Sequence, residues 1–192
     1  MMSNNIDLIE RHLTEAGQVL LSTINLSTQI AEIAEIAINS LRSGGTIFWC
    51  GNGGSAADSQ HLAAELIGRY KLERKAISSI ALTTDTSILT AISNDFGFEF
   101  VFSRQLEGLA HEGDVLIALT TSGNSQSILN AVEKAKELNV KSVLFTSTKY
   151  LGNHADFILR VESTKTEQIQ HAHTAIGHVI CELIESSLSN LN

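Results

Sequence analysis

The sequence of 192 residues contains no proline, so its helices and turns must end on other residues. Glycine, serine, asparagine and aspartate are the residues that take this role. Cysteine is nearly absent as well. Cys50 and Cys181 both lie in apolar runs and offer neither metal-site spacing nor a disulfide framework. We expect two buried free thiols in a reducing cytoplasm.

Positive charge is scarce. Thirteen lysines and arginines against 21 aspartates and glutamates give a net charge of −8, without any lysine-rich run. Proteins that neutralise nucleic-acid phosphates carry a basic patch, so a nucleic-acid ligand is not expected. No apolar run approaches the roughly 20 residues that cross a bilayer, and the N-terminus lacks the basic region of a signal peptide. These absences predict a cytoplasmic protein without a membrane partner.

The hydrophobic content of 43% is enough to bury a core in one domain over residues 1–192. Apolar residues at helical spacing predict helices over 5–24 and 28–42, so that residues 1–44 form an N-terminal helical extension. Gly44 and Gly45 end the second of these helices. Residues 45–192 then form an α/β core that includes a long C-terminal helix over 167–188.

The core contains five continuous apolar runs, at 46–50, 77–83, 114–120, 141–146 and 157–161. Such runs are typical of strands that are covered on both faces. Helical patterns separate the first four runs. The alternation predicts a doubly wound, mostly parallel five-stranded sheet flanked by helices.

The stretch CGNGGSAADSQHLAAELIGRY (50–70) places a glycine-rich turn between a strand and a helix. A second stretch, LTTSGNSQSILNAVEKA (119–135), repeats this order and adds the hydroxyls of Thr120, Thr121, Ser122 and Ser125. Free amides at a helix N-terminus carry about half a positive charge. Two such turns at the carboxyl ends of parallel strands predict a bound phosphate monoester that needs no arginine. The alternative is a serine cap with small residues for tight packing.

Three side chains after the first turn are candidates for proton chemistry or metal binding. His61 and Glu65 are four residues apart and therefore share a helix face, and His178 lies in the C-terminal helix. Each also has an ordinary structural reading: Glu65 in solvent, His61 in a common helix pair and His178 as a core histidine. Spacing alone does not choose between these readings.

Four motifs in the same order and spacing resemble the sugar isomerase (SIS) domain family and, within it, the phosphoheptose isomerases. They are the stretch at 50–70, SNDFGFEFVFSRQLE (93–107), GDVLIALTTSGNS (113–125) and TEQIQHAHTAIGHVICELIE (166–185). The resemblance covers essentially the whole chain. It implies a homotetramer that interconverts sedoheptulose 7-phosphate and D-glycero-D-manno-heptose 7-phosphate, the entry to heptose for bacterial surface polysaccharide, without an organic cofactor.

Residue roles follow from the same resemblance. It implies that Glu65 and His178 are catalytic. The residues that bind substrate are Asn52, Gly53, Gly54, Ser55, Glu65, Asn94, Asp95, Thr120, Thr121, Ser122, Ser125 and Gln170. Some members of the family also bind zinc, which implies the ligands His61, Glu65, Gln170 and His178. Departures are mild: Thr120 stands where serine is common, and an additional His171 follows Gln170.

The spacing of the implied metal ligands leaves the zinc site open. Gln170 and His178 are eight residues apart, which is roughly 12 Å along a helix and a rotation of about 80°. Spacing alone would sooner pair His171 with His178. Closure of a tetrahedral site therefore depends on how the helix of His61 and Glu65 packs against the last helix.

Two functions from other classes remain as alternatives. A non-catalytic SIS protein would bind a partner such as a replication initiator, and would need neither Glu65 nor His178. A SIS sensor would only bind a sugar phosphate, and such domains are usually attached to a DNA-binding or transferase domain. Assembly carries a further expectation: the partly apolar first helix packs against another subunit and places the active sites near subunit boundaries.

Overall fold

The computed structural model describes residues 2–189, and the side chains from residue 4 onward. The seven helices are α1 (Met2–Ser22), α2 (Ser27–Arg42), α3 (Gly54–Ile67), α4 (Thr86–Asp95), α5 (Ser103–Leu109), α6 (Gln126–Glu137) and α7 (Thr166–Ser189). The five strands are β1 (Ile47–Gly51), β2 (Ser79–Ala81), β3 (Val115–Leu119), β4 (Lys141–Ser147) and β5 (Phe157–Val161). Short 3-10 turns occupy Thr23–Leu26 and Phe98–Phe100.

The five strands form one parallel sheet in the order β2-β1-β3-β4-β5. The chain leaves β1 towards β2 and then crosses back over β1 to form β3. Strand order therefore reverses between β1 and β3, whose register pairs Gly51 with Leu119 at their carboxyl ends. In open α/β sheets, ligands bind in the crevice at this kind of reversal.

Side chains of β1 alternate between two core layers. Ile47 and Trp49 join the layer beneath α2, α3 and α7, whereas Phe48 and Cys50 join the layer beneath α4, α5 and α6. All four are essentially excluded from solvent. The indole Nε1–H of Trp49 donates to the hydroxyl of Ser79 at 2.9 Å, so its one polar group is satisfied inside the core. The sheet is covered on both faces, as the continuous apolar runs predict.

The first helix is the least buried α-helix among the described residues. Ala16 is the residue of α1 that is buried among those whose side chains are described. The helix packs against α7. Its Glu15 forms an ion pair with Lys165, which directly precedes α7. Val19 is partly buried against the core. The large apolar side chains of this helix that are exposed, with Ile24 just beyond it, are Ile6, Leu8, Ile9, Leu13, Leu20 and Leu21.

The predicted helices and strands are confirmed in type and order, and most ends differ by one to three residues. The clearest difference is β2, which spans Ser79–Ala81 rather than 77–83. It lies at the edge of the sheet, with Ile80 40% exposed. The strand ends early because Asp85 caps α4, its carboxylate accepting from the amide of Ile88 at 2.9 Å. In this chain without proline, Asp85 therefore caps the start of α4, and Gly44 (φ +87°) follows the end of α2.

Candidate active site

A cavity of about 350 Å³ lies at the carboxyl ends of β1 and β3. Its lining consists of Asn52, Gly53, Gly54, Ser55, Leu119, Thr120, Thr121, Ser122, Ser125, Thr166 and Gln170. The GNGGS and TTSGNS turns therefore meet in one cavity, at the position where the order of strands reverses. Residues at or beside the N-termini of α3, α6 and α7 contribute to the lining. Aligned peptide dipoles at these termini favour an anionic ligand.

Glycine is required in the first turn for two separate reasons. Gly53 has φ +58° and ψ −123°, a backbone conformation that residues with a Cβ atom rarely adopt. Gly54 begins α3, and a Cβ there would lie 2.4 Å from the side-chain Nε2 of Gln170. The absence of a side chain at Gly54 thus allows Gln170 of α7 to reach the turn. Asn52 joins the first turn to α6, since its Nδ2 donates to the hydroxyl of Ser127 at 3.0 Å.

The second turn is held by its own hydroxyls and by a buried ring. Thr120 accepts a hydrogen bond from the amide of Gly123 at 3.2 Å, and Thr120 itself is buried. Gly123 has φ +73°, and a Cβ there would meet the ring of Tyr150 at 2.3 Å. Ser125 precedes α6 in the cap position, but its side chain makes no capping hydrogen bond. Its hydroxyl is therefore available to a ligand in the cavity.

A second group of side chains, that of His61, Glu65 and His178, lies outside the cavity lining, where α3 packs on α7. One ligand atom of each lies within 4.8 Å of the others. The Nε2 atoms of His61 and His178 are 2.8 Å apart, and Nε2 of His61 is 3.4 Å from Oε1 of Glu65. The carboxylate of Glu65 is 20% exposed and the imidazole of His61 is 48% exposed. The three side chains are thus partly accessible to solvent, and the rings of His61 and His178 face each other through their Nε2 atoms.

A row of contacts between α3 and α7 connects the cavity to this cluster. Gly54 meets Gln170 at the cavity, and Asp58 accepts from the hydroxyl of Thr174 at 2.9 Å one turn further along. The second carboxylate oxygen of Asp58 is buried without a partner. Burial raises the pKa of Asp58, and the hydrogen bond from Thr174 offsets part of that rise. The two helices therefore hold both parts of the site in fixed register.

The donor set of the cluster suits a zinc ion. Two imidazole nitrogens and a carboxylate oxygen are ligands that zinc prefers, and they converge from two helices that are held together by direct contacts. Gln170 lies at the cavity, against Gly54. His171 is exposed, and the cluster consists of His61, Glu65 and His178 without it.

The remaining predicted residues occupy different places. Ser55 is buried at the start of α3 and lines the cavity with the other residues of both turns. Asn94 and Asp95 end α4, where Asn94 donates to the Asp95 carboxylate at 2.8 Å, and they are not among the residues that line the cavity. Their role as substrate ligands stays a prediction.

Several residues near the site were not found by sequence reasoning. Thr166 lines the cavity from the start of α7, and a threonine directly before the predicted helix 167–188 is a signal that could have been used. Ser127 binds Asn52, but a serine inside a helix carries no such signal. Tyr70 stacks on His178 with ring centroids 5.3 Å apart and planes 9° apart. That contact depends on a loop whose course the sequence does not reveal.

The two thiols are buried and free, as predicted. Burial raises the pKa of Cys50 far above its ordinary value and that of Cys181 to about 12. Because thiolates are the reactive form of cysteine, neither side chain is suited to nucleophilic chemistry. Among the helices of residues 2–189, none is long and apolar enough to cross a membrane.

Comparison with known proteins gives the same family from sequence and from structure. The family model of the SIS domain matches residues 12–147. "Phosphoheptose isomerase 1" of Campylobacter jejuni subsp. jejuni serotype O:2 is 49% identical over 184 residues, covering 95% of this chain and 99% of the relative. The phosphoheptose isomerase of Aquifex aeolicus is 44% identical over 183 residues, covering 94% and 96%. The solved structure of a phosphoheptose isomerase from Francisella tularensis superimposes with a TM-score of 0.90 at 34% identity, covering 95% and 98%.

Proposed function

This chain belongs to the SIS domain family and, within it, to the phosphoheptose isomerases, and we propose how its side chains divide the reaction of that class. It is an isomerase that interconverts sedoheptulose 7-phosphate and D-glycero-D-manno-heptose 7-phosphate, in heptose biosynthesis. One observation supports the assignment of roles most directly. The cavity at the N-termini of α3, α6 and α7 and the cluster of two imidazoles and a carboxylate lie along the same pair of packed helices, α3 and α7.

The phosphate is proposed to bind in the TTSGNS turn. Thr121, Ser122 and Ser125 supply hydroxyls beside the amides at the start of α6, and Thr120 shapes the turn through its bond to Gly123. Ser55 and the start of α3 add a second set of donors. We propose that Asn52, Gly53, Gly54 and Gln170 bind the sugar, with Asn94 and Asp95 as the further ligands that the family resemblance implies.

Glu65 and His178 are proposed to move the protons. The Glu65 carboxylate removes the proton from C1 of the ketose, and the electron pair of that C–H bond forms the C1–C2 double bond of an enediol. His178 delivers a proton to the carbonyl oxygen at C2. His178 then accepts the proton of the C1 hydroxyl as the aldehyde forms, while Glu65 returns its proton to C2. The sum is an isomerisation in which no electron enters or leaves the pair of carbons.

His61, Glu65 and His178 would hold a zinc ion, with Gln170 proposed as a fourth ligand. Such an ion would polarise a carbonyl oxygen as a Lewis acid, which is the role that the proton on His178 has without a metal. Elemental analysis tests this proposal. We expect about one zinc per chain in the purified protein and a large loss of zinc in a His61→Gln variant. Equal zinc content in both proteins would place the metal elsewhere.

Assembly is proposed through the apolar face of α1. We propose that each subunit is a single domain over residues 1–192, because α2 packs on α7 against the sheet and α1 packs on α7. Leu13 and Leu21 are 65% and 68% exposed, and burial of such side chains against another subunit is favourable. We expect a homotetramer in sedimentation at micromolar concentration. A monomer there would contradict the proposal.

The experiment that tests the catalytic roles is isomerisation in D₂O, followed by NMR. With sedoheptulose 7-phosphate, the wild-type protein should form the aldose and introduce deuterium at carbon. Glu65→Gln keeps shape and hydrogen bonding but cannot accept the proton, so conversion and deuterium entry should both stop while substrate still binds. Glu112→Gln is the matched control, since Glu112 is exposed in the turn before β3. An active Glu65→Gln enzyme would remove this residue from the mechanism, and an inactive wild type would refute the function itself.

A further inference from the structure

A buried ion pair lies next to the proton-transfer residues. Arg74, in the loop after α3, and Glu185, on α7, are joined by a bond of 3.0 Å, and their side chains are only 3% and 1% exposed. The desolvation cost of a buried ion pair is offset only where the geometry is good and further hydrogen bonds satisfy both partners. Here those further bonds reach the last turn of α3, which carries Glu65, and the loop that follows it.

The carboxylate of Glu185 organises the loop. It accepts hydrogen bonds from the backbone amides of Tyr70 at 3.0 Å, Lys71 at 2.7 Å and Leu72 at 2.9 Å. Three consecutive amides are thereby fixed to α7, two turns beyond His178 on the same helix. The path of the backbone at Tyr70 is set by this one side chain.

The guanidinium of Arg74 holds the end of α3. Its terminal nitrogens donate to the carbonyl oxygens of Glu65 and Leu66, each at 2.8 Å. The last carbonyls of a helix have no partner within the helix, so an arginine that binds them fixes its final turn. Glu65 is in that turn. The ion pair thus ties the backbone of Glu65 to the helix that carries His178.

Tyr70 transmits this arrangement to the imidazole. Its ring lies parallel to that of His178, with planes 9° apart and centroids separated by 5.3 Å. A second neighbour, His61, meets His178 edge-on, with ring planes 81° apart. A flat ring with one neighbour on its face and another on its edge has little freedom to rotate, so Tyr70 limits the direction in which Nε2 of His178 points.

We propose that Tyr70 is a positioning residue for His178, and that Glu185 and Arg74 hold Tyr70 in place. This inference rests on the proposed role of His178 in moving the oxygen proton. Positioning within a fraction of an ångström matters for proton transfer, because a displacement of about 1 Å can reduce turnover roughly a hundredfold. Tyr70 stacks on the catalytic imidazole and is not among the residues that line the cavity, so it should influence turnover without contributing to phosphate binding.

The test compares three variants of the same loop. Tyr70→Leu removes the flat face, Tyr70→Phe keeps it, and Leu72→Ala is a control at a side chain that is 43% exposed. We expect Tyr70→Leu to lower kcat by about ten- to a hundredfold with KM changed less than twofold. Tyr70→Phe and Leu72→Ala should stay within about twofold of wild type. Thermal unfolding of all three verifies that each variant is folded.

NMR of the His178 ring protons provides a readout that does not depend on activity. The face of Tyr70 shields these protons, so their signals should move in Tyr70→Leu and stay in Tyr70→Phe. Unmoved signals in Tyr70→Leu overturn the contact itself. A wild-type kcat in that variant, or an equal loss in Tyr70→Phe, overturns the positioning role. If wild-type protein proved inactive on sedoheptulose 7-phosphate, the proposed function would fail, and the NMR signals would still decide whether Tyr70 orients His178.

Discussion

Removal of the charge on Glu185 should destabilise the protein far more than removal of a neighbouring charge. The carboxylate of Glu185 accepts from three backbone amides and from Arg74, and it is 1% exposed. Glu185→Gln keeps the shape of the side chain but replaces one acceptor oxygen with an NH₂ group. That group would face backbone donors, and the Arg74 guanidinium would be left as a buried charge without its counter-ion.

The expected size follows from burial. Loss of one member of a buried ion pair costs about 3–5 kcal/mol, whereas an exposed pair contributes about 1 kcal/mol or less. For a protein of this length, 1 kcal/mol corresponds to roughly 2–4 °C in Tm. Glu185→Gln should therefore lower Tm by roughly 6–20 °C. Because total stabilities are only about 5–15 kcal/mol, this single change removes a large part of the free energy of unfolding.

Glu182→Gln is the matched control for this measurement. Glu182 lies on the same helix and pairs with Lys71 of the same loop at 2.7 Å, but the two side chains are 46% and 52% exposed. Thermal unfolding at equal protein concentration should show a change of no more than a few degrees for this variant. If Glu185→Gln cost no more than Glu182→Gln, the argument from burial would be refuted.

Acid titration of stability gives a second measurement on the same residue. Burial by itself raises the pKa of Glu185, but hydrogen bonds from the amides of Lys71, Leu72 and Tyr70, together with the charge of Arg74, outweigh it and lower the pKa. The stabilisation is complete above the unfolded-state pKa of about 4.3 and is lost as pH falls through the lower folded-state value. The wild type should lose this part of its stability in acid, and Glu185→Gln should not.

Three further outcomes are expected. Thr121→Ala combined with Ser125→Ala should raise KM by roughly two orders of magnitude or more, since each hydrogen bond to a charged phosphate is worth about 1.5–3 kcal/mol; a normal KM would show that the TTSGNS turn does not bind phosphate. His178→Gln should lower turnover by roughly 10²–10⁴-fold while slow deuterium exchange at carbon persists, because Glu65 remains; unchanged turnover would exclude His178 as the oxygen-proton carrier. Burial lowers the pKa of His173 to about 4. The unfolded chain therefore takes up a proton near pH 6.5 that the folded chain does not, and the free energy of unfolding should fall by roughly 3 kcal/mol from pH 7 to pH 4. This fall in the free energy of unfolding with pH should be absent in His173→Leu. If it persisted there, other groups would be responsible for it.

The sequence predicts most of the fold because its signals are local. Continuous apolar runs predict β1, β3 and β4, and the glycine-rich turns after β1 and β3 are recognised directly in the sequence. The length of β2 is less well predicted, since an edge strand has one neighbour and the Asp85 cap begins the next helix early. In that case a local polar contact outweighs the apolar pattern.

The site is only partly readable from the sequence, for a different physical reason. His61 and Glu65 share a face at four-residue spacing, and their meeting with His178 depends on the packing of α3 on α7. Tyr70 stacks on His178, and its backbone amide donates to Glu185, 115 residues away. Contacts of this range have no periodic signature, so they could not be predicted.

The cavity has a further consequence for how solution conditions act on substrate binding. Its lining of glycines, hydroxyls, amides and one leucine includes no group that ionises in the ordinary pH range. The protonation that governs phosphate binding in the cavity is therefore that of the ligand, whose second phosphate pKa is near 6 for a phosphate monoester. KM should rise below that pH because the dianion is depleted. Added salt should weaken binding less than it does at a basic patch, because neutral donors in contact with the anion release no counter-ions.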